Sequence, residues 1–198
     1  MTHRSQAGER MVCKVVISGG FGVGKTTAIG SVSDIPPLRT EEQITQQSAA
    51  TDSLNGVERK TTTTVAIDFG RVGWDVPIPI ELYLFGTPGQ PRFWDFWYDL
   101  SDGSFGALLL ADTRRLDTSF RAADFFEEIG LPYVIAVNVF PGTPRRPIAE
   151  IREAFDVEDR VPVLFCDARR PESVAGALRA LIKYVVQIRS ATSSLLDA

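Results

Sequence analysis

The stretch Gly19-Gly20-Phe21-Gly22-Val23-Gly24-Lys25-Thr26-Thr27 decides the fold. It satisfies the pattern G-x-x-x-x-G-K-[ST] and stands where a strand hands over to a helix, which is the context that pattern requires. Ahead of it, Val12, Val15, Val16 and Ile17 form a short, β-branched apolar run of the kind buried on both faces of a parallel sheet. Glycines in the loop allow positive φ, so successive N–H groups can point into one concavity and surround a phosphate without Cβ atoms in the way. Lys25 would add a point charge at the outer phosphates of a nucleotide, Thr26 a hydroxyl to Mg²⁺, and the helix that follows the positive end of its dipole. The plain alternative, a glycine-rich turn with no ligand, has the spacing, the Lys-Thr pair and the flanking elements against it.

Composition sets the outer bounds. A chain of 198 residues suits one domain that can bury a core without staples. With 44% apolar and 23% charged residues it reads as an ordinary soluble protein. A net charge of −4 argues against a general nucleic-acid binder. Cys13 and Cys166 both fall in apolar, strand-like runs, so buried reduced thiols and a cytoplasmic setting are expected. The single histidine, His3, lies in a polar N-terminal segment and leaves neither a His-based triad nor a His-rich metal site. No run approaches the length of a membrane span, so direct membrane insertion is not expected; any membrane association would come through a partner or a modification.

Along the chain, residues 1–10 and 191–198 read as flexible ends of one domain over 11–190. The first helix should stop near Asp34, because Pro36-Pro37 cannot continue it. Residues 38–60 are mostly polar and read as a long loop with one short helix. Strands are expected over 61–71, 78–85, 105–111, 133–139 and 161–166, and helices from Asp117-Thr118 to Gly130, over 147–155, and over 171–189 with Pro171 at its start. Strands alternating with helices predict an α/β fold, a doubly wound, mostly parallel sheet of six strands with helices on both faces and a ligand at the carboxyl ends of the strands.

With the elements placed, residues 12–189 resemble a Ras-like small GTPase, most similar in detail to bacterial MglA-like GTPases and to the GTP-binding component of actinobacterial conservons. The glycine-rich loop carries the resemblance together with Leu84-Phe85-Gly86-Thr87-Pro88-Gly89-Gln90, similar to the D-T-A-G-Q switch, and Cys166-Asp167-Ala168-Arg169, similar to the S-A-K box. It implies GTP or GDP with Mg²⁺ held by Gly19, Phe21, Gly22, Val23, Gly24, Lys25, Thr26 and Thr27. Gly89 would place its N–H on the γ-phosphate, and Gln90 would orient the attacking water. Thr64, in Thr64-Val65-Ala66-Ile67-Asp68-Phe69, matches the switch threonine that would meet Mg²⁺ beside Thr26. Thr61, Thr62 and Thr63 remain rivals for that role, and all four also suit an edge strand.

Four departures qualify the resemblance. Phe21 stands where such enzymes carry a small residue, so its ring should crowd an external arginine finger and slow hydrolysis. Gly86 replaces the aspartate that would hold a Mg²⁺-bound water; Asp112, after the 105–111 strand, is either a partial substitute or a loop cap. Asn138-Val139-Phe140-Pro141 replaces N-K-x-D. Pro141 cannot accept the hydrogen bonds of a guanine edge, which leaves Asp167 as the nearest acceptor and the Ala168 N–H for the guanine oxygen. Arg59, the candidate for an in-chain arginine finger, is not adjacent to the switch threonine.

Phe93, Trp94, Phe96, Trp97 and Tyr98 crowd one short segment after the switch glutamine and cannot all face inward from a helix. Phe93, Trp94 and Trp97 are therefore read as a partner surface, with a thick core layer as the alternative. The resemblance implies a roadblock-type protein and a membrane sensor kinase as partners. The function expected is a slow regulatory GTPase; a non-hydrolysing nucleotide-bound module is the second reading, and a small-molecule kinase, which lacks a recognisable arginine-rich lid, the third.

Overall fold

The computed structural model describes residues 10–46, 61–75, 79–89 and 95–196, and at 39–46, 61–66, 95 and 193–196 it describes the backbone. The elements run β1 (Met11–Ser18), α1 (Lys25–Val32), β2 (Leu38–Gln46), β3 (Thr61–Trp74), β4 (Ile80–Gly86), α2 (Asp95–Ser101), β5 (Gly106–Ala111), α3 (Asp117–Glu128), β6 (Tyr133–Asn138), α4 (Ile148–Phe155), β7 (Val163–Cys166) and α5 (Pro171–Leu196). They form one sheet in the order β2-β3-β4-β1-β5-β6-β7. Strand β1 pairs parallel with β4 and β5, and β5, β6 and β7 continue parallel, whereas β3 runs antiparallel to both β2 and β4.

Each central strand feeds two cores by simple alternation. On β1, Val15 and Ile17 face one cluster and Val16 the other; on β5, Leu108 and Leu110 oppose Ala107, Leu109 and Ala111. The first cluster is closed by Ala28 and Ile29 of α1 and by Leu178 and Leu181 of α5. The second is closed by Phe126 of α3 and Ile151 of α4. Strands buried on both faces explain the continuous apolar runs of β5, of β6 up to Asn138, and of β1 from Val15 to Ile17; ahead of them on β1, the half-buried Lys14 sends its Nζ to the Asp102 carbonyl. Cys13 and Cys166 are buried free thiols whose pKa values burial raises. Among the described residues, no helix is long and apolar enough to cross a membrane.

The sheet has seven strands rather than six. The extra one is β2, where the polar composition predicts a loop with a short helix. Backbone pairing decides the matter: Leu38 to Gln46 is in register with Phe69 to Thr61 across an antiparallel hairpin, and an edge strand tolerates Thr, Glu and Gln. Helix α1 ends at Val32, two residues short of the expected stop. Helix α3 has no side-chain cap from Asp117 or Thr118; the Thr118 hydroxyl instead donates to the Arg115 carbonyl at 2.8 Å. Helix α5 continues to Leu196, through the segment expected to be a flexible tail.

The topology places the site. Chain order reverses around β1, whose neighbours are β4 and β5, and such switch points open a crevice at the carboxyl ends of the strands. The loop 19–24, Thr87 to Gly89, Asp112, Asn138 and Asp167 all follow those ends.

Candidate nucleotide-binding site

The loop after β1 is held by close backbone approach. Gly24 has φ 106°, and a Cβ there would stand 2.8 Å from Asn138 Nδ2, so both conformation and space demand glycine. A Cβ on Gly20 would collide with the Thr118 side chain at the start of α3. Helix α1 begins at Lys25 with no side-chain cap, so its first N–H groups open onto the loop as a ready anion site.

Lys25 Nζ donates to the carbonyls of Gly19 at 2.8 Å and Gly20 at 3.0 Å, folding the ammonium over the loop. Burial pulls it down to about 8, while the Asp68 carboxylate nearby acts in the opposite sense. The segment after β4 closes over the same point. A Cβ on Gly89 would lie 2.8 Å from Lys25 Nζ and 3.0 Å from the Phe21 nitrogen. Thr87 anchors this segment to β1, its N–H donating to the Ile17 carbonyl at 2.9 Å and its hydroxyl to Ser18 Oγ at 3.0 Å. Phe21 is 68% exposed at the rim, and its carbonyl accepts from Arg115 Nη2 at 3.1 Å.

Thr26 donates its hydroxyl to the carboxylate of Asp68 on β3. Asp112 is not part of this group: it is buried and accepts from the Arg114 N–H at 2.9 Å and from Arg114 Nη2 at 2.7 Å, which lowers its pKa. It is a loop cap. Among the described residues no three His, Cys, Asp or Glu side chains gather. A hydroxyl and one carboxylate fit Mg²⁺ in the manner of nucleotide sites, where the phosphates complete the octahedron and the ion neutralises their charge. Thr64 lies on β3 opposite Gln43, with its backbone alone described, and Gln90, Phe93, Trp94 and Arg59 lie outside the described residues.

At the other end, Asn138 is a clamp. Its Nδ2 donates to the Val23 carbonyl at 2.8 Å and its Oδ1 accepts from the Ala168 N–H at 3.0 Å, tying the phosphate loop to the loop after β7. The Ala168 amide expected on a guanine oxygen is thus engaged with Asn138. Asp167 is engaged too: Arg169 binds both its oxygens, at 2.8 and 2.7 Å, and holds its carboxyl down to about 2. Arg114 lies 3.8 Å over the Phe140 ring, and Pro141 beyond it is exposed.

Trp97 does not belong to an exposed surface. It is buried, packs edge-on against Phe125 with centroids 5.5 Å apart, and donates Nε1–H to the Pro88 carbonyl at 3.1 Å. Tyr98 beside it is 51% exposed and donates its hydroxyl to Glu128.

Residues 17–188 match the family described as conserved hypothetical ATP binding protein. No curated protein matches. Among solved structures, the cytosolic domain of the T. maritima FeoB iron transporter in a GDP form superposes with a TM-score of 0.62 at 15% identity, over 90% of this chain and 65% of that one. The apo form gives 0.60 at 14% identity over 88% and 64%, and a second GDP form 0.61 at 14% identity over 88% and 63%. The present chain therefore spans just under two thirds of those relatives. The chain belongs to the conserved hypothetical ATP-binding family, and it shares the fold of the FeoB cytosolic domain.

Proposed function

We propose that this member of the ATP-binding family is a regulatory nucleotide switch of the MglA-like, conservon-associated kind. It binds GTP or GDP with Mg²⁺ and hydrolyses GTP slowly, with Gln90 orienting water and Thr64 meeting the metal beside Thr26. One observation carries the reading: Gly89 is folded onto Lys25 and Phe21, and the residue before it is bonded to Trp97 of α2. A γ-phosphate gripped by Lys25 would meet the Gly89 amide, and any shift there would pass through Pro88 to α2 and its exposed Tyr98. That is how triphosphate and diphosphate would show different surfaces to a protein partner. By resemblance the partners are a roadblock-type protein and a sensor kinase, which would recruit the chain to the membrane periphery.

Hydrogen exchange tests the link. Amides over 95–101 should differ in protection between the GDP form and a non-hydrolysable GTP form; identical exchange would remove the switch. A second reading, a nucleotide-bound module that does not hydrolyse, is favoured by the exposed Phe21 ring at the loop rim. Single-turnover phosphate release, with and without partner, separates the two.

A further inference from the structure

Strand β4 ends in Gly86, and the carboxylate that a metal site of this kind would draw from that position is missing from it. The space is not empty of carboxylate. Asp68 on β3 is the cross-strand partner of Gly86, and a Cβ built on Gly86 would stand 3.2 Å from Asp68 Cβ and 3.5 Å from Asp68 Oδ2. The side chain of Asp68 thus occupies the volume into which a residue at 86 would project, and its carboxylate is already bonded to the Thr26 hydroxyl.

Resting on the nucleotide-binding reading above, we propose that Asp68 supplies the carboxylate of the Mg²⁺ site from the neighbouring strand. Gly86 is glycine because Asp68 fills its place, and two carboxylates there would crowd and repel. Without metal, the carboxylate orients the Thr26 hydroxyl. With nucleotide and Mg²⁺ bound, Asp68 accepts from the Thr26 hydroxyl or from a metal-bound water, holding the oxygen ligands in place. Thr64 stands at the same parity on the same strand. Both protein groups assigned to the metal besides Thr26 then ride on β3, so the grip on the metal and the position of this strand become one variable.

The test compares affinity for GDP and for a non-hydrolysable GTP analogue in Mg²⁺ and in EDTA, by fluorescence titration of the full chain. Wild type should bind more tightly with Mg²⁺. Asp68→Asn, which can still accept from Thr26, should match wild type in EDTA and lose about 10- to 100-fold of the Mg²⁺-dependent gain. Asp112→Asn should keep the gain. The exchange Asp68→Gly with Gly86→Asp should restore it, since it clears the Asp68 side chain from beside residue 86 and leaves the mobile end of Ile29, its Cδ1 3.1 Å away, as the nearest contact of the new Cβ. Full Mg²⁺ dependence in Asp68→Asn, or none in wild type, overturns the proposal. If Asp68→Asn also binds poorly in EDTA, the exchange variant decides: a regained Mg²⁺ gain supports the proposal and its absence refutes it. A wild type that binds no nucleotide under either condition would instead sink the underlying reading of the site.

Discussion

The two ends of the crevice are built on opposite principles. At the phosphate end, main-chain groups of 19–24, the uncapped start of α1 and the Lys25 ammonium converge on one point, and Gly89 closes over it. At the end expected to meet the base, the polar groups are turned on one another: Asn138 on Val23 and Ala168, Asp167 on Arg169, Asp112 on Arg114. A group already held in a charge-assisted contact must give up that contact to serve a ligand, which offsets most of what the ligand gains. The difference implies that the phosphates carry the affinity, with the base adding a modest preference.

The sharpest way to break that contrast is to remove the ammonium. Lys25→Ala should weaken GTP and ATP alike by about 1,000-fold, the worth of roughly two charge-assisted hydrogen bonds, measured by calorimetry with Mg²⁺. A loss confined to one base would contradict it. The base-end clamp should matter for stability instead. Asn138→Ala strands the Val23 carbonyl and the Ala168 N–H, and should cost about 3 kcal/mol in urea unfolding at unchanged m. An unchanged midpoint would show that the clamp holds nothing.

Titration sharpens the phosphate end further. Lys25 sits near 8 in the folded chain, below its ordinary 10.5, so the unfolded state binds more protons in that window and folding stability should rise as pH climbs through it. Phosphate binding works the other way. A bound polyanion raises the Lys25 pKa, so binding takes up a proton above pH 8, and affinity should fall there by up to about tenfold per pH unit while staying flat below pH 7. A flat profile to pH 9.5 would remove Lys25 from the site. The smallest expected effect lies at the base end: Arg169→Ala, by releasing Asp167, should raise the preference for GTP over ATP about fivefold. No change would mean that Asp167 does not face the base.

Much of this was legible in the chain. The phosphate loop could be read because its chemistry is local: spacing, glycines and Lys-Thr all lie within one turn between a strand and a helix. The buried strands could be read because β5, β6 and the Val15 to Ile17 run of β1 are apolar on both faces. Strand β2 could not, since its partner lies beyond a long intervening segment and nothing in Thr40-Glu41-Glu42-Gln43 signals pairing on its own. The aromatic cluster after β4 left the facing of Trp97 undecided between surface and core, and only its contact with Phe125 and Pro88 settles it. Asp68 was present in the quoted run from Thr64 to Phe69 yet carried no signal. Its role arises from register, because residues 68 and 86 become neighbours only when β3 lies antiparallel to β4. The contacts of Asp167 with Arg169 and of the Ala168 amide with Asn138 were likewise not legible, since they depend on loop geometry and on β6 lying beside β7.

The most direct measurement is competitive calorimetry of the wild-type chain, with Mg²⁺, against GTP, ATP and the two purine nucleosides. Affinity should follow the phosphates: both triphosphates bind, GTP leads ATP by no more than about tenfold, and neither nucleoside competes. A nucleoside that competes as well as its triphosphate, or a GTP preference beyond about 1,000-fold, would contradict an anchor built at the phosphate end.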